Sequence, residues 1–512
     1  MKQDNFYITT PIYYPSGQPH MGHAYSSIIT DVFARFMRND NHKVHFLTGT
    51  DEHGLKIQKS AEAANMEPLE FCNKISNVFR NLNKKLNLSN DDFIRTTENR
   101  HHKSVTELWN RLIKSGDIYL SKYEGWYSVS DEAFYNENEI VEKNSRKVST
   151  FSGSPVEWVS EESFFFKLSA WENKLLEFYE KNEKFIIPVS RRNEVINFVK
   201  GGLKDLSISR TSFTWGIKVP KNEKHIIYVW LDALTNYLSA LNFPDEKDDL
   251  FKSFWPASLH VIGKDILRFH AIYWPAFLLA AKIKPPKRIF SHGWILSGDE
   301  KMSKSKGNIL NPIEIIEKYG IDELRYYLMK EVSHGSDGNI SLDSLQNCIN
   351  SDLANNYGNL CQRVFVFIKN NCDNRVVESK SLSDNDKKLI EETKDLSKDL
   401  RINMNNQDLN NYIKSVINIS FITNKYINDE EPWKLKKNDK VKMNNVLYLA
   451  LEQIAKISIL LNPIIPIATQ KVINALNLKP NSLNLSFLDN KNILSKEVKI
   501  NELNILFKKI IK

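Results

Sequence analysis

The stretch Pro19-His20-Met21-Gly22-His23 decides how the rest of the chain is read. Two imidazoles lie three residues apart, with a glycine directly before the second. Downstream, apolar residues recur at positions 28, 29, 32, 33 and 36, the spacing of one helix face. Upstream, Pro15, Gly17 and Pro19 mark a turn, and Phe6-Tyr7-Ile8-Thr9-Thr10 has strand composition. The unit is strand, turn, helix, with both histidines at the helix N-terminus. That end carries unpaired N–H groups and partial positive charge, which suit a phosphate. Histidines three apart share a face, so both can address one anion. Alone the pattern is weak, because two histidines that merely cap a helix would look the same.

The alternation of strand and helix continues outward from this unit. Val44-His45-Phe46-Leu47-Thr48-Gly49 reads as a strand ending in Thr50-Asp51-Glu52-His53-Gly54. Ligands of doubly wound sheets bind beyond the carboxyl ends of the strands, which places Asp51 and His53 beside the turn at 15–19. A plain helix-capping role for Asp51 is the alternative. Residues 1–116 are read as the first half of a sheet domain. Over 117–225 the alternation breaks, and the segment reads as an inserted connective domain. In it Tyr123–Ser128 and Pro155–Val159 are short strands, and Phe164 opens a helix through Trp171 and Leu175. The second half of the sheet spans 226–290, with a strand over Ile226–Leu231, a helix from Asp232, and strands at Leu259–Gly263 and Arg288–His292. A loop, Lys301-Met302-Ser303-Lys304-Ser305, lies between Gly298 and Gly307 and belongs to a region of 291–345. Residues 346–512 read as helical throughout; Val446, Ala450, Ile454, Ile457 and Leu461 form one buried stripe. The predicted fold class is α/β, a Rossmann-type doubly wound parallel sheet split by an inserted connective domain and followed by an α-helical bundle.

Composition narrows the function less than the motifs do. At 512 residues the chain is too long for one core. Its 41% hydrophobic and 26% charged content is ordinary for a globular protein. No apolar run is long enough for a bilayer, and the polar N-terminus has no secretory pattern, so a cytoplasmic location with no membrane partner is expected. Cys72, Cys348, Cys361 and Cys372 show no C-x-x-C spacing, which signals neither a zinc site nor a redox pair. A net charge of +8 is compatible with nucleic acid but decides nothing alone.

The two motifs, in this order and at this separation, resemble the signatures of class I aminoacyl-tRNA synthetases. Further stretches resemble the methionine-specific family within that class. They are Asp51–Gly54, Gly202-Leu203-Lys204-Asp205 with Ser209-Arg210, Tyr228–Tyr237, Gly263-Lys264-Asp265, Asp352-Leu353-Ala354-Asn355 with Gly358-Asn359-Leu360, and Pro432-Trp433-Lys434. They cover nearly the whole chain. The resemblance implies ligation of L-methionine to tRNA(Met), initiator tRNA included, through methionyl-adenylate made from Mg2+-ATP. It implies catalytic roles for His20, His23, Lys301 and Lys304, and ATP contacts from Gly22, Gly263, Asp265 and Ser303 in addition. Four convergent basic side chains suit a reaction whose charge builds on a departing pyrophosphate. The implied methionine pocket comprises Ile12, Tyr14, Asp51, Trp230, Ala233, Tyr237, Phe269, His270 and Trp274. Asp51 would take the ammonium, aromatic rings would pack the polarizable sulfur, and Tyr237 and His270 would offer it hydrogens. Asn359, Arg363 and Trp433 would read the anticodon, with a splayed base stacked on the indole.

The insertion departs from many family members. Where zinc ligands align, this chain has Ser128, Asp131, Ser149 and Ser152. Hydroxyls are poor zinc ligands, so no metal and a knuckle held by packing alone are expected. A chain ending near the bundle implies a monomer. Synthetases for leucine, isoleucine or valine are disfavoured by the short insertion, and the cysteine enzyme by the missing zinc ligands. A non-catalytic RNA-binding paralogue would have no need of the four basic groups.

Overall fold

The computed structural model describes residues 4–511 apart from 16, 132, 136, 144–145, 298–299, 302–310, 333–334, 379–380, 480–482 and 490–491. Six parallel strands form its centre: β1 (Asn5–Tyr13), β2 (Lys43–Thr50), β3 (Asp92–Arg95), β4 (Ile186–Ile187), β5 (Leu259–Gly263) and β6 (Ile289–His292). Their spatial order is β3-β2-β1-β5-β6-β4. In β1, Ile8 pairs with Phe46 on one side and Leu259 on the other. The chain builds outward from β1 in one direction and then resumes on its other flank, so the β1/β5 boundary is the switch point. The crevice beyond Tyr13 and Gly263 is where such a sheet binds its ligand.

Helix α1 (Met21–Asn39) follows β1. The expected apolar positions Ile28, Ile29, Val32, Phe33 and Phe36 are all buried. One hydrophobic cluster contains α1, one side of the sheet, the helix Ile321–Glu331 and the C-terminal helices. The buried Arg325 stitches these parts together. It donates to Asp31 Oδ2 on α1 at 2.6 Å, to the carbonyls of Pro463 and Ile464 at 2.8 Å each, and to that of Leu86 at 3.1 Å.

The region between β3 and β5 departs from the sequence reading in three ways. Ile118–Ser128 and Glu157–Phe166 are long antiparallel partners, paired from Ile118 opposite Phe166 to Tyr127 opposite Glu157. Phe164–Phe166 therefore end a strand and do not open a helix. Successive strand residues face opposite sides, and each phenyl finds a partner: Phe164 meets Trp109, Phe165 stacks on Tyr119, and Phe166 meets Phe277. A 3-10 turn, Leu168–Trp171, precedes the helix Glu172–Lys181. Ile186–Ile187 lies within 117–225 and returns to the central sheet as β4, beside Ile289 and Phe290.

The third departure is the strand expected over Ile226–Leu231. It spans Asn222–Ile227, antiparallel to Ser209–Arg210 and Lys218–Val219, and is not part of the parallel sheet. Helix α2 (Val229–Ser239) starts straight after Tyr228. The β-branched and aromatic run favours a strand. Complete burial of Leu231, Leu234 and Leu238 on one helical face overrides that preference.

From Leu342 onward helices dominate, including Asn359–Asn371, Leu409–Glu430 and Lys440–Leu461. The stripe from Val446 to Leu461 is buried as expected. The region is not helical throughout: Arg375–Val377 pairs antiparallel with Glu497–Lys499. Among the described residues no helix is long and apolar enough to cross a membrane.

Candidate active site

The histidine pair builds its own geometry. His20 is the N-cap of α1 and His23 occupies the third helical position, giving a capping box made of two imidazoles. The Gly22 N–H donates to His20 Nδ1 at 3.1 Å, and the His20 N–H to His23 Nδ1 at 3.0 Å. The rings lie 3.8 Å apart between centroids. A Cβ at Gly22 would approach His20 Cε1 to 2.9 Å, so the glycine lets the His20 ring fold back. With Nδ1 accepting, the neutral form of each ring carries its proton on Nε2. His23 packs edge-on against Tyr13 and Phe79. Desolvation first, and the charge of His20 second, hold its imidazole well below the usual range. The neutral imidazole is thus the form favoured at this position.

Asp51 follows β2, is buried, and is bonded through its N–H to the Tyr13 carbonyl at 2.9 Å. It caps no helix: the N-cap of Leu55–Ala63 is Gly54, without a side-chain bond. The loop carrying it is fixed from several sides. The Glu52 carboxylate accepts from Arg95 Nε at 2.7 Å and Nη2 at 2.9 Å, from Thr97 at 2.6 Å and from Thr50 at 2.7 Å. Tyr14 donates to the His53 carbonyl at 2.6 Å. Trp215 Nε1 donates to the Glu52 carbonyl at 2.5 Å, while the Trp215 carbonyl accepts from Gly54.

The aromatic residues assigned to the pocket come together in one hydrophobic cluster that also holds Ile12 and Tyr14. Trp230 lies face to face with Phe269 at 3.6 Å. Tyr237 is 5.7 Å from His270 and 6.2 Å from Trp274 between ring centroids. Ala233 is buried on the same helix as Trp230 and Tyr237. Burial pushes the Tyr237 phenol up, and the charge of Asp51 adds to the rise. The hydrogens expected to meet the sulfur are otherwise engaged. His270 Nδ1 lies 3.0 Å from the Ile266 carbonyl, an acceptor only, so Nδ1 is protonated and Nε2 accepts from Tyr237 Oη at 2.7 Å. The indole nitrogens of Trp230 and Trp274 are buried with no hydrogen-bond partner.

Gly263 and Asp265 stand at the end of β5. A Cβ at Gly263 would meet Asp265 Oδ1 at 2.5 Å. Trp294 Nε1 approaches the same oxygen at 3.4 Å, and Lys264 sits between the Trp294 ring, at 4.0 Å, and Asp337, at 2.7 Å. The Lys301 backbone pairs with Leu296. Ser303 and Lys304 lie outside the described residues.

Far from this crevice, a cleft of about 430 Å3 opens in the helical bundle and is lined by Gln362, Arg363, Phe367, Asn370 and Trp433 among others. Pro432 is buried at a helix start, while Trp433 is 43% exposed, which argues against a core anchor. The Arg363 guanidinium stands 5.8 Å from the Trp433 ring centre, and its Nη2 donates to Asn428 at 2.7 Å. Asn359 lies one turn before Arg363 on the same helix face.

In the insertion, the aligned zinc positions form a hydrogen-bonded knot, where packing alone was expected. The Asp131 carboxylate accepts from Tyr135 at 2.7 Å, from Ser154 at 2.8 Å and from Ser152. Ser149 Oγ accepts from the N–H groups of Phe151 and Ser152. Among the described residues no group of three or more His, Cys, Asp or Glu is arranged to hold a metal.

Sequence reading missed Asp232. The signal was present, since an acidic residue inside an apolar run is buried only with partners. It accepts from His53 Nδ1 at 2.7 Å and His101 Nε2 at 2.6 Å.

Burial pushes the His270 imidazole down to about 4. An unfolded histidine takes its proton near pH 6.5, so between the two values the unfolded chain binds more protons and stability falls with pH. His270→Gln is expected to lessen the stability loss between pH 7 and 4.5 by about 2–3 kcal/mol in urea unfolding. An unchanged pH dependence would contradict the buried, neutral state.

Comparison with known proteins agrees with this geometry. Residues 6–144 and 142–365 match the family described as "tRNA synthetases class I (M)", and residues 376–512 match "Anticodon binding domain of methionyl tRNA ligase". The methionine–tRNA ligase of Rickettsia typhi is 49% identical over 511 residues, covering 99% of this chain and all of that one. That of Brucella suis is 47% identical over 476 residues, covering 93% of this chain and 92% of that one. The Mycobacterium tuberculosis methionyl-tRNA synthetase in complex with methionyl-adenylate superposes with a TM-score of 0.96 at 43% identity, covering 99% of this chain and all of that one. The apo form of the same protein superposes with 0.89 at 39% identity, covering all of this chain and 99% of that one. A parallel sheet with its switch-point crevice, an anticodon-binding helical bundle and full-length relatives of one activity together make this chain a member of the class I methionyl-tRNA synthetases.

Proposed function

We propose the following division of labour for the ligation of methionine to tRNA. Mg2+-ATP enters the switch-point crevice with its phosphates toward the N-terminus of α1. His20 and His23 donate through Nε2 to phosphate oxygens, and Gly22 keeps the approach clear. Lys301, Ser303 and Lys304 complete the anion contacts, the two ammonium groups supplying the positive charge. Gly263 and Asp265 hold the nucleoside, and Trp294 braces Asp265. The methionine carboxylate attacks the α-phosphorus, the bond to the bridging oxygen breaks, and pyrophosphate leaves into this cradle. Neutral imidazoles suit this role, because a fixed dipole aimed at developing charge needs no reorganisation when the charge appears.

Asp51 pairs with the methionine ammonium through a charge-assisted bond. Ile12, Tyr14, Trp230, Ala233, Tyr237, Phe269, His270 and Trp274 enclose the side chain. The Tyr237–His270 bond makes these two rings a shape-fixing wall, and the thioether packs against aromatic faces. The 3' hydroxyl of tRNA(Met), initiator tRNA included, then takes the methionyl group.

The residue assignment at the far end rests on one observation, the half-exposed Trp433 with Arg363 across its ring. A splayed anticodon base stacks there while Asn359 and Arg363 read its edge, the mode used for single-stranded RNA. Residues 1–116, 226–290 and β4 act as the catalytic body, 117–225 as the connective insertion, 291–345 as the loop and stem-contact region, and 346–512 as the anticodon-binding unit. The enzyme works as a cytoplasmic monomer.

No zinc serves this chain. Asp131 is engaged by three hydroxyls, and Ser128, Ser149 and Ser152 offer only weak donors. Metal analysis of protein purified in the presence of zinc is expected to find well under one zinc per chain after desalting. A stoichiometric, retained zinc would contradict the hydrogen-bonded knuckle.

Trp433→Ala is expected to lower kcat/KM for tRNA charging by about 10- to 100-fold, the loss of one base–aromatic stack. Methionine-dependent ATP–pyrophosphate exchange should stay within about twofold. Equal losses in both activities would contradict the assignment.

A further inference from the structure

The methionine site as described has two halves on different elements. The loop after β2 carries Asp51, and α2 carries Trp230, Ala233 and Tyr237. No backbone ladder joins them, because β2 lies in the parallel sheet and the strand before α2 lies in a separate antiparallel one. One backbone bond, from the Gly54 N–H to the Trp215 carbonyl, links the loop to the segment ahead of that strand, and side chains supply further ties between loop and helix.

Asp232 is placed to do this. It is fully buried in the first turn of α2, beside Ala233 and two residues from Trp230. One oxygen accepts from His53 Nδ1 at 2.7 Å, two residues beyond Asp51. The other accepts from His101 Nε2 at 2.6 Å, on the helix Asn99–Ser115 behind the site. His101 is fully buried, and its Nδ1 lies 3.0 Å from Ser239 Oγ at the far end of α2. Ser239 in turn donates to the Thr235 carbonyl at 2.9 Å. Burial alone would raise the Asp232 carboxyl, yet the charges and hydrogen bonds of His53 and His101 hold it far below the usual range. An ionised carboxylate only accepts, so both imidazoles donate to it.

We propose that Asp232 is a positioning residue for methionine: it ties the loop bearing the ammonium contact to the helix bearing the side-chain pocket, and so sets the gap between the two subsites. The Asp232 carboxylate touches neither substrate; it acts through His53 on one side and through α2 on the other. The inference rests on the assignment of Asp51 to the ammonium. Its chemical logic is that of groups that orient a binding residue without contacting the ligand, whose loss costs about 10- to 100-fold in function.

The test is steady-state ATP–pyrophosphate exchange on the full chain with Asp232→Asn, His53→Gln, the double variant and Asp51→Asn. An amide accepts through one oxygen only, so Asp232→Asn deprives one imidazole of its acceptor while keeping the volume. Expected are a rise of about 10- to 100-fold in the KM for methionine and a KM for ATP within about twofold of the parent. His53→Gln leaves the His101 arm intact and should move the methionine KM in the same direction, so it carries the test if Asp232→Asn does not fold. Two residues acting as one strut predict a double variant no worse than the worse single. An unchanged methionine KM, equal rises in both KM values, or additive effects overturn the proposal. Asp51→Asn should raise the methionine KM by itself. If it does not, the ammonium assignment fails, and the Asp232–His53 strut is then judged on the non-additivity alone.

Discussion

The position of helix α1 is the constraint on which the rest depends. Its N-terminus must stand in the crevice between β1 and β5, and its body is locked by a buried ion pair. Asp31 accepts from Arg325, from Arg35 and from both the N–H and the hydroxyl of Ser89. All its oxygen valences are engaged, which is what lets a carboxylate sit in the core. Burial would raise its carboxyl, but Arg325 and Arg35 hold it below the usual range. Arg325 also takes the carbonyls at the Pro463 turn of the bundle. Leaving either charge alone in the core costs about 3–5 kcal/mol, so sheet, helix and bundle are held in one arrangement. Near the C-terminal end of α1, Phe36 meets Tyr412 edge-on and Asp40 pairs with Arg401. One element thus carries the paired histidines at one end and a firm contact with the anticodon-binding region at the other.

The site itself is built mostly from neutral groups held by neighbours. His23 and His270 are both kept uncharged by desolvation, and their ring nitrogens are assigned by the bonds they make. Full charges are kept where they have partners, as at Glu52 with Arg95 and Asp232 with two histidines. Dipoles and single protons in fixed positions can stabilise a departing anion without binding the ground state tightly.

Much of this was legible in the residues. Periodicity placed α1 and its core face, and the strand compositions of β1, β2, β5 and β6 were sound within a residue or a few. The spacing of two histidines and a glycine has a physical reason at Gly22, where a Cβ would meet the folded-back His20 ring. What could not be read were features fixed by distant partners. Ile226–Leu231 has the composition of a strand, but the burial of Leu231, Leu234 and Leu238 on one face of α2 decides otherwise. Phe164–Phe166 fits a helix core or a two-faced strand equally well until Trp109, Tyr119 and Phe277 are known to flank it. Ile186–Ile187 is too short to show as a strand, and only its neighbour β6 makes it one. The hydrogen bond between Tyr237 and His270 was equally hidden, since a bond between two distant residues leaves no trace in one sequence.

The most direct measurement is ATP–pyrophosphate exchange run with each standard amino acid in turn. Methionine alone should support exchange above background, on the proposal that the crevice at α1 is where the carboxylate is activated and the aromatic cluster is where the unbranched thioether packs. Exchange with a different amino acid, or with none, would contradict it.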